Sequence, residues 1–192
     1  MVLTGQSNKL PHIDNRHYNV VRFCNGIFQA VGAAQISTST NGIIWTRRWQ
    51  NSYIYEPQDI TYGDGKYVTG LPGGNVLTSS DGITWTMKQH QCLIGGYIFY
   101  GIAFGNGIFV MVGTKGITTR STDGGETWEV PSTFVSKKNW RGIAFSNGKF
   151  IAVTTDGYVA TSTDGIIWTT PEQIKDESKV VTATLNGICA MP

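Results

Sequence analysis

Charge is scarce in this sequence. Lys, Arg, Asp and Glu account for 15% of the 192 residues, against roughly 25% in ordinary globular proteins. The formal net charge is +2, and the densest basic spots are only the pairs Arg47-Arg48 and Lys137-Lys138. Nucleic-acid recognition needs a concentrated basic face, so it is not expected. Long apolar runs are also missing. No stretch approaches the ~20 residues that cross a bilayer, so membrane insertion is not expected either. The start, Met1-Val2-Leu3-Thr4-Gly5-Gln6, has neither the basic n-region nor the apolar h-region of a secretory signal. Cysteine is sparse, and Cys24, Cys92 and Cys189 are odd in number and widely spaced. That is no disulfide framework; they read as buried or half-buried free thiols in a reducing compartment. Sustained helical periodicity is absent.

What is abundant is turn chemistry. The chain has 24 glycines, and its hydrophobic fraction of 40% recurs in every segment rather than in one block. The motif Ser-x-Asp/Asn-Gly-x-x-Trp appears as Ser39-Thr40-Asn41-Gly42-Ile43-Ile44-Trp45, Ser79-Ser80-Asp81-Gly82-Ile83-Thr84-Trp85 and Ser162-Thr163-Asp164-Gly165-Ile166-Ile167-Trp168. A variant one residue longer, Ser121-Thr122-Asp123-Gly124-Gly125-Glu126-Thr127-Trp128, lies between them. The four tryptophans are 40, 43 and 40 residues apart, a period that belongs to propeller blades.

A second repeat lies upstream of each motif, with two β-rich runs around Asn25-Gly26, Asp64-Gly65, Asn106-Gly107 and Asn147-Gly148. Asn-Gly and Asp-Gly favour the two-residue type I′ hairpin. Each repeat is therefore expected to be four antiparallel strands, A to D, with the Trp motif in the C–D turn. A fifth A–B turn is expected at Asn186-Gly187, but no motif follows it. The start offers Val2-Leu3-Thr4, which matches Val76-Leu77-Thr78. The expectation is one all-β domain over 1–192, a five-bladed propeller, its last blade closed by both termini. The blades would fall near 18–50, 58–90, 99–133, 140–172, and 179–192 with 1–13.

These motifs resemble the Asp-box, or BNR repeat, of sialidases and other propeller proteins. The resemblance implies that Asn41, Trp45, Asp81, Trp85, Asp123, Trp128, Asp164 and Trp168 are structural. The Asx side chain organises its own turn by accepting backbone N–H groups. Each Trp ring, burying roughly 150–250 Å² at ~25 cal/mol/Å², contributes at most ~4–6 kcal/mol. The sialidase Arg-Ile-Pro signature is absent. Arg22, Arg47, Arg48 and Arg141 could cluster, but no spacing fixes them in one site. Asp14, Glu56, Asp59, Glu126, Glu129, Glu172, Asp176 and Glu177 lie near connections without forming a pair that could flank a glycosidic bond. His12, His17 and His90 have no convincing metal-ligand spacing. No catalysis, cofactor or metal is expected.

Recognition is expected at the D–A loops. Arg47, Arg48, Trp49, Tyr55, Tyr100, Trp140 and Arg141 are the candidate contacts, with Trp49, Tyr55 and Trp140 facing solvent. An aromatic also recurs before strand A as Tyr18, Phe99 and Trp140, a pattern that equally suits packing between blades. The expected function is a non-enzymatic phage structural or receptor- or glycan-binding protein, made in the host cytoplasm and located on the virion. Its partners would be other virion proteins or a cell-surface glycan or receptor, and a homo-oligomer is compatible. A bacterial lectin or scaffold propeller, located in the cytoplasm, is the alternative; a sialidase-like hydrolase is the weakest reading.

Overall fold

A computed structural model describes residues 17–51, 56–131, 137–177, 179–180 and 185–188. Within them the chain is all-β. Strands β1 (Tyr18–Cys24), β2 (Ile27–Gly32), β3 (Gln35–Ser39) and β4 (Thr46–Gln50) form one antiparallel meander. The next contains β5 (Thr61–Gly63), β6 (Lys66–Leu71), β7 (Asn75–Ser79) and β8 (Thr86–Gln89). The third has three strands, β9 (Phe99–Gly105), β10 (Ile108–Gly113) and β11 (Thr118–Ser121). The fourth has β12 (Trp140–Ser146), β13 (Lys149–Thr154), β14 (Tyr158–Ser162) and the short β15 (Glu172–Gln173). A two-stranded pair, β16 (Lys175–Asp176) with β17 (Lys179–Val180), follows.

The first four A–B dipeptides make the expected turns, with positive φ at both residues: Asn25 49° and Gly26 81°, Asp64 46° and Gly65 74°, Asn106 51° and Gly107 76°, Asn147 50° and Gly148 74°. Two expectations are corrected. The fourth strand of the third sheet is reduced to a single bridge between Arg120 and Glu129. Asn186-Gly187 does not form the expected type I′ turn, since neither residue has a positive φ; the strands it would join, 181–184 and 189–191, lie outside the described residues. The dipeptide runs beside β12, where a Cβ on Gly142 would meet the Gly187 Cα at 2.9 Å. The proposed strand over 1–13 and Cys189 lie outside the described residues.

The hydrophobic core lies between sheets rather than within one layer. Val31 and Ile36 meet Ile60, Tyr67, Leu71 and Leu77. Val68 and Val76 meet Phe99, Ile102, Phe109, Met111 and Trp128. Ala103, Val110 and Val112 meet Trp140, Ile143, Phe150 and Trp168. Successive sheets therefore cover each other's faces. Phe104 presses on Gly63 and Phe145 on Gly105, where an added Cβ would lie 2.0 and 2.1 Å from the respective ring carbons. Phe23, the counterpart of these rings in the first sheet, is 63% exposed.

The Trp-motif turns share one hydrogen-bond pattern. In the second motif, Ser79 Oγ accepts Gly82 N–H at 2.8 Å, while Asp81 Oδ1 accepts Ile83 and Thr84 N–H at 2.8 and 2.7 Å. Asn41 does the same for Ile43 and Ile44 at 2.9 Å each, and Asp164 for Ile166 and Ile167 at 2.9 and 2.8 Å. The longer third turn uses Asp123 to accept Thr127 N–H at 2.9 Å. Trp45, Trp128 and Trp168 each donate Nε1–H to a glycine carbonyl in their own turn, at 3.1, 3.1 and 3.2 Å. Trp128 and Trp168 are buried; Trp45 and Trp85 are half-buried. Motif side chains are thus spent on their own turns.

Of the thiols, Cys24 is half-buried, whereas Cys92 is exposed and departs from the expected burial. Cys92 sits on a short 3-10 turn, Gln91–Leu93, outside the sheets.

Candidate functional site

The first strands of the four sheets, β1, β5, β9 and β12, lie beside one another in that order. Their residues line two small cavities. One, of about 220 Å³, is bounded by Ile60, Ile102, Phe104, Ile143, Phe145 and Ile188, with Arg22 and Cys24 also contributing. The other, of about 110 Å³, is polar, and Asn19, Arg22, Gln58, Asp59, Tyr100, Arg141 and Asn186 contribute to its wall. Arg22, Ile143 and Ile188 border both.

A backbone irregularity delivers three of these side chains. In β1, Tyr18 pairs with Gly32 and Val20 with Val31, which leaves Asn19 unpaired in the ladder. In β9, Phe99 pairs with Gly113 and Gly101 with Val112, skipping Tyr100. In β12, Trp140 pairs with Thr154 and Gly142 with Val153, skipping Arg141. Each is a β-bulge at the same position of the repeat, and a bulge re-aims the side chain it carries. Gln58 occupies the corresponding place just before β5. Gly32 makes room for the first bulge, since a Cβ there would lie 2.5 Å from Asn19 N. The central cavity is therefore ringed by Asn19, Gln58, Tyr100 and Arg141, one residue from each sheet.

Arg22 and Asp59 form the charged floor of this ring. Arg22 Nε and Nη2 donate to the two carboxylate oxygens of Asp59 at 3.0 Å each. Asp59 is buried; it also accepts Ile60 N–H at 2.9 Å and Ile102 N–H at 3.4 Å. Burial pushes its carboxyl above the ordinary carboxylate range, despite the opposing pull of Arg22 and of those backbone donors. The pair ties the first sheet to the second and, through Ile102, to the third. Arg141 lays its guanidinium over the Tyr100 ring, 3.9 Å from its centroid, joining the third and fourth sheets. The Arg141 Nε–H is buried and has no acceptor among the described residues. Asn19 donates its amide to Pro57 O at 3.1 Å.

The residues expected to recognise a partner separate into distinct places. Tyr100 and Arg141 reach the cavity, but from strands rather than from loops. Arg47, Arg48 and Trp49 belong to β4, the outer strand of the first sheet, and line neither cavity. Arg48 donates to Thr38 Oγ1 at 2.8 Å, and Trp49 is half-buried against the Ile36–Leu77 cluster. Trp140 is not solvent-facing: it is 0% exposed and stacks on Trp168 at 6.2 Å. The bulge explains why, since it turns Arg141 toward the centre while Trp140 packs into the core. Tyr55 lies outside the described residues. Phe99 is buried and Tyr18 donates its hydroxyl to Ser37 Oγ at 2.7 Å, so this aromatic series packs between strands and sheets. Of the four arginines that could cluster, only Arg22 and Arg141 line one cavity.

From sequence, Asn19, Gln58, Arg22 and Asp59 receive no site role, and Asn186 is placed only in an expected turn. A signal was available. At the aligned position of Arg22 the other repeats carry Thr61, Ala103 and Ala144; at that of Asp59 they carry Val20, Gly101 and Gly142. A charge that breaks the repeat within an inner strand marks the centre. Among the described residues no group of three His, Cys, Asp or Glu side chains could hold a metal ion, and no helix is long and apolar enough to cross a membrane.

No family model and no curated protein matches the chain. Solved structures with a similar fold include virginiamycin B lyase from Staphylococcus aureus, 15% identical with a TM-score of 0.67 over 82% of this chain and 56% of that one. YCF48 from Cyanidioschyzon merolae is 15% identical with a TM-score of 0.63, over 91% of this chain and 61% of that one. YCF48 bound to D1 peptide is 18% identical with a TM-score of 0.60, over 91% and 62%. These are β-propellers, and their likeness identifies the architecture of this chain as propeller-like. The chain spans about three-fifths of their length.

Proposed function

We propose that this protein is a non-enzymatic binding propeller that engages a protein partner at the mouth of its central cavity. The observation that carries the reading is the ring of Asn19, Gln58, Tyr100 and Arg141, with β-bulges at three of the four positions. A bulge interrupts the ladder, so its recurrence at one position facing one cavity favours use over accident. Asp59 is the single carboxylate among the described lining residues, and Arg22 already engages both of its oxygens. That supports binding over hydrolysis, because glycosidases require two carboxyl groups about the scissile bond. The peptide complex of the fold neighbour YCF48 supports a protein as the kind of partner.

The setting we infer is a phage particle, where free thiols and a surface of low charge suit a protein assembled in a reducing cytoplasm. Five blades closed by both termini remain our reading of the ring. Residues 186–188 reach the same cavity as the inner strands, and the exposed Phe23 calls for a covering sheet.

The test is a photo-crosslinking residue placed at Asn19 or Gln58, and separately at Arg47, in the native assembly. Partner adducts from the two central positions and not from Arg47 are expected. Adducts from Arg47 alone would overturn the reading.

A further inference from the structure

Beyond the cavity rim, cations and tyrosines pair repeatedly over the third and fourth sheets. Lys138 Nζ lies 3.7 Å from the Tyr158 ring centroid, and Lys115 Nζ lies 5.8 Å from that of Tyr97. Arg141 on Tyr100 is the third such pair. The three are physically continuous. Lys115 N–H donates to Asn139 Oδ1 at 2.9 Å, and Asn139 stands between Lys138 and Arg141 in the chain. Lys115 Nζ also donates to Gly95 O at 3.2 Å, close in sequence to Tyr97. The band therefore runs from Tyr158 and Lys138 through Asn139 and Lys115 to the central Arg141.

Its charge is one-sided. Lys115, Lys138 and Arg141 belong to it with Lys137, the chain neighbour of Lys138; Asp156 is bonded to Lys138, and Asp59, which shares the cavity wall with Arg141, is already paired with Arg22. In a chain so poor in charge, four cations beside one anion make a local positive field that selects anionic partners. The aromatic rings hold the cations in defined places and offer apolar faces to aliphatic or backbone groups. Lys115, Lys137 and Asn139 are exposed, so the band is reachable.

We propose that this band is a docking track for an acidic, extended segment of the partner protein, leading its carboxylates toward Arg141. The proposal rests on the central-mouth reading above and names the chemistry of the partner. An acidic peptide is favoured over a nucleic acid because these cations stand among tyrosines rather than on a broad basic face.

The experiment is fluorescence anisotropy of a labelled oligoglutamate peptide with the full chain at low salt. Wild type should bind saturably and lose affinity as salt rises. Lys137→Glu combined with Lys138→Glu should weaken binding by about tenfold or more, and Lys138→Arg should retain it. Arg47→Glu combined with Arg48→Glu makes the same change in net charge on β4 and should leave binding within about twofold. Equal loss from both double variants would show unspecific charge attraction and overturn the proposal. So would tighter binding of a single-stranded oligonucleotide of equal charge. Thermal melting of each variant separates lost binding from lost folding. If the peptide fails to bind while partner adducts still form at Asn19 or Gln58, the track fails and the central-mouth reading stands. Loss of those adducts ends the central-mouth reading whatever the peptide does.

Discussion

Trp140 and Arg141 are adjacent in sequence and should give opposite results when each is replaced by alanine. Trp140 is fully buried, stacked on Trp168, and belongs to the cluster containing Ile143 and Phe150. Removing a buried aromatic costs about 3–5 kcal/mol through lost transfer energy and an unfilled cavity. No hydrogen bond to a described residue is lost with it, because Trp140 Nε1 has no acceptor among the described residues. The neighbouring Trp168 loses a stacking partner worth about 0.5–1.5 kcal/mol, a part already contained in that total. For a chain of this size 1 kcal/mol moves the melting temperature by about 2–4 °C, so Trp140→Ala should lower it by ~6–20 °C. Arg141→Ala removes a half-exposed guanidinium from the face of Tyr100. A cation–π contact of this kind is worth about 0.5–1 kcal/mol, so the shift should stay below ~4 °C while partner binding is lost. Calorimetry with urea denaturation measures the first quantity, and binding by the folded variant the second. A Trp140→Ala protein that melts like wild type but no longer binds would refute the bulge argument, because Trp140 would then be the contact residue.

Three further outcomes follow from the geometry. Gly105→Ala places a Cβ 2.1 Å from the Phe145 ring and should destabilise by ~1–3 kcal/mol or more; Phe145→Ala in the same chain should recover part of that loss, as a double-mutant cycle reads directly. Acid stability should follow the turn aspartates: Asp81 is held at about 2 by Thr84, Ile83 and Ser79, and Asp123 at about 2 because bonds from Thr127 outweigh its desolvation. Both lie below the unfolded value of about 3.9, so their contribution is complete above pH ~4 and is lost as pH falls toward ~2. Asp81→Asn, which mimics Asn41, should flatten that part of the melting-temperature profile. Asp59 has the opposite sign: burial raises its folded-state value, so acidification relieves its cost, and Asp59→Asn should steepen the acid loss. Deleting residues 2–13 should lower the melting temperature and increase binding of an apolar dye near the exposed Phe23; an unchanged melt would argue against closure by the N-terminal segment.

The sheets were legible because their signals are local and repeated. The first four Asn-Gly or Asp-Gly dipeptides between β-rich runs each make a hairpin, and each Ser-x-Asx turn is bonded by its own Asx side chain. Asn186-Gly187 carries the same local preference without positive φ, and it runs close beside Gly142 of β12. The candidate site was only half legible for a different reason. A bulge adds one residue to a strand and reverses which of two neighbours faces the core, so Trp140 and Arg141 cannot be sorted by alternation alone. Arg47, Arg48 and Trp49 were placed in a loop because strand β4 is short and polar, and nothing in Thr46–Gln50 distinguishes an exposed outer strand from a connection. Arg22 and Asp59 were visible as departures from the repeat. Their bidentate pairing across 37 residues required the ring of sheets to be assembled first.

The most direct test of the central claim is the native mass and composition of the assembly formed by wild type and by the Tyr100→Ala/Arg141→Ala double variant. Both proteins should fold and melt within a few degrees of each other. The account predicts that wild type is recovered with its partner and that the double variant is recovered without it. A double variant that still carries the partner at wild-type stoichiometry would contradict the assignment of recognition to the central mouth.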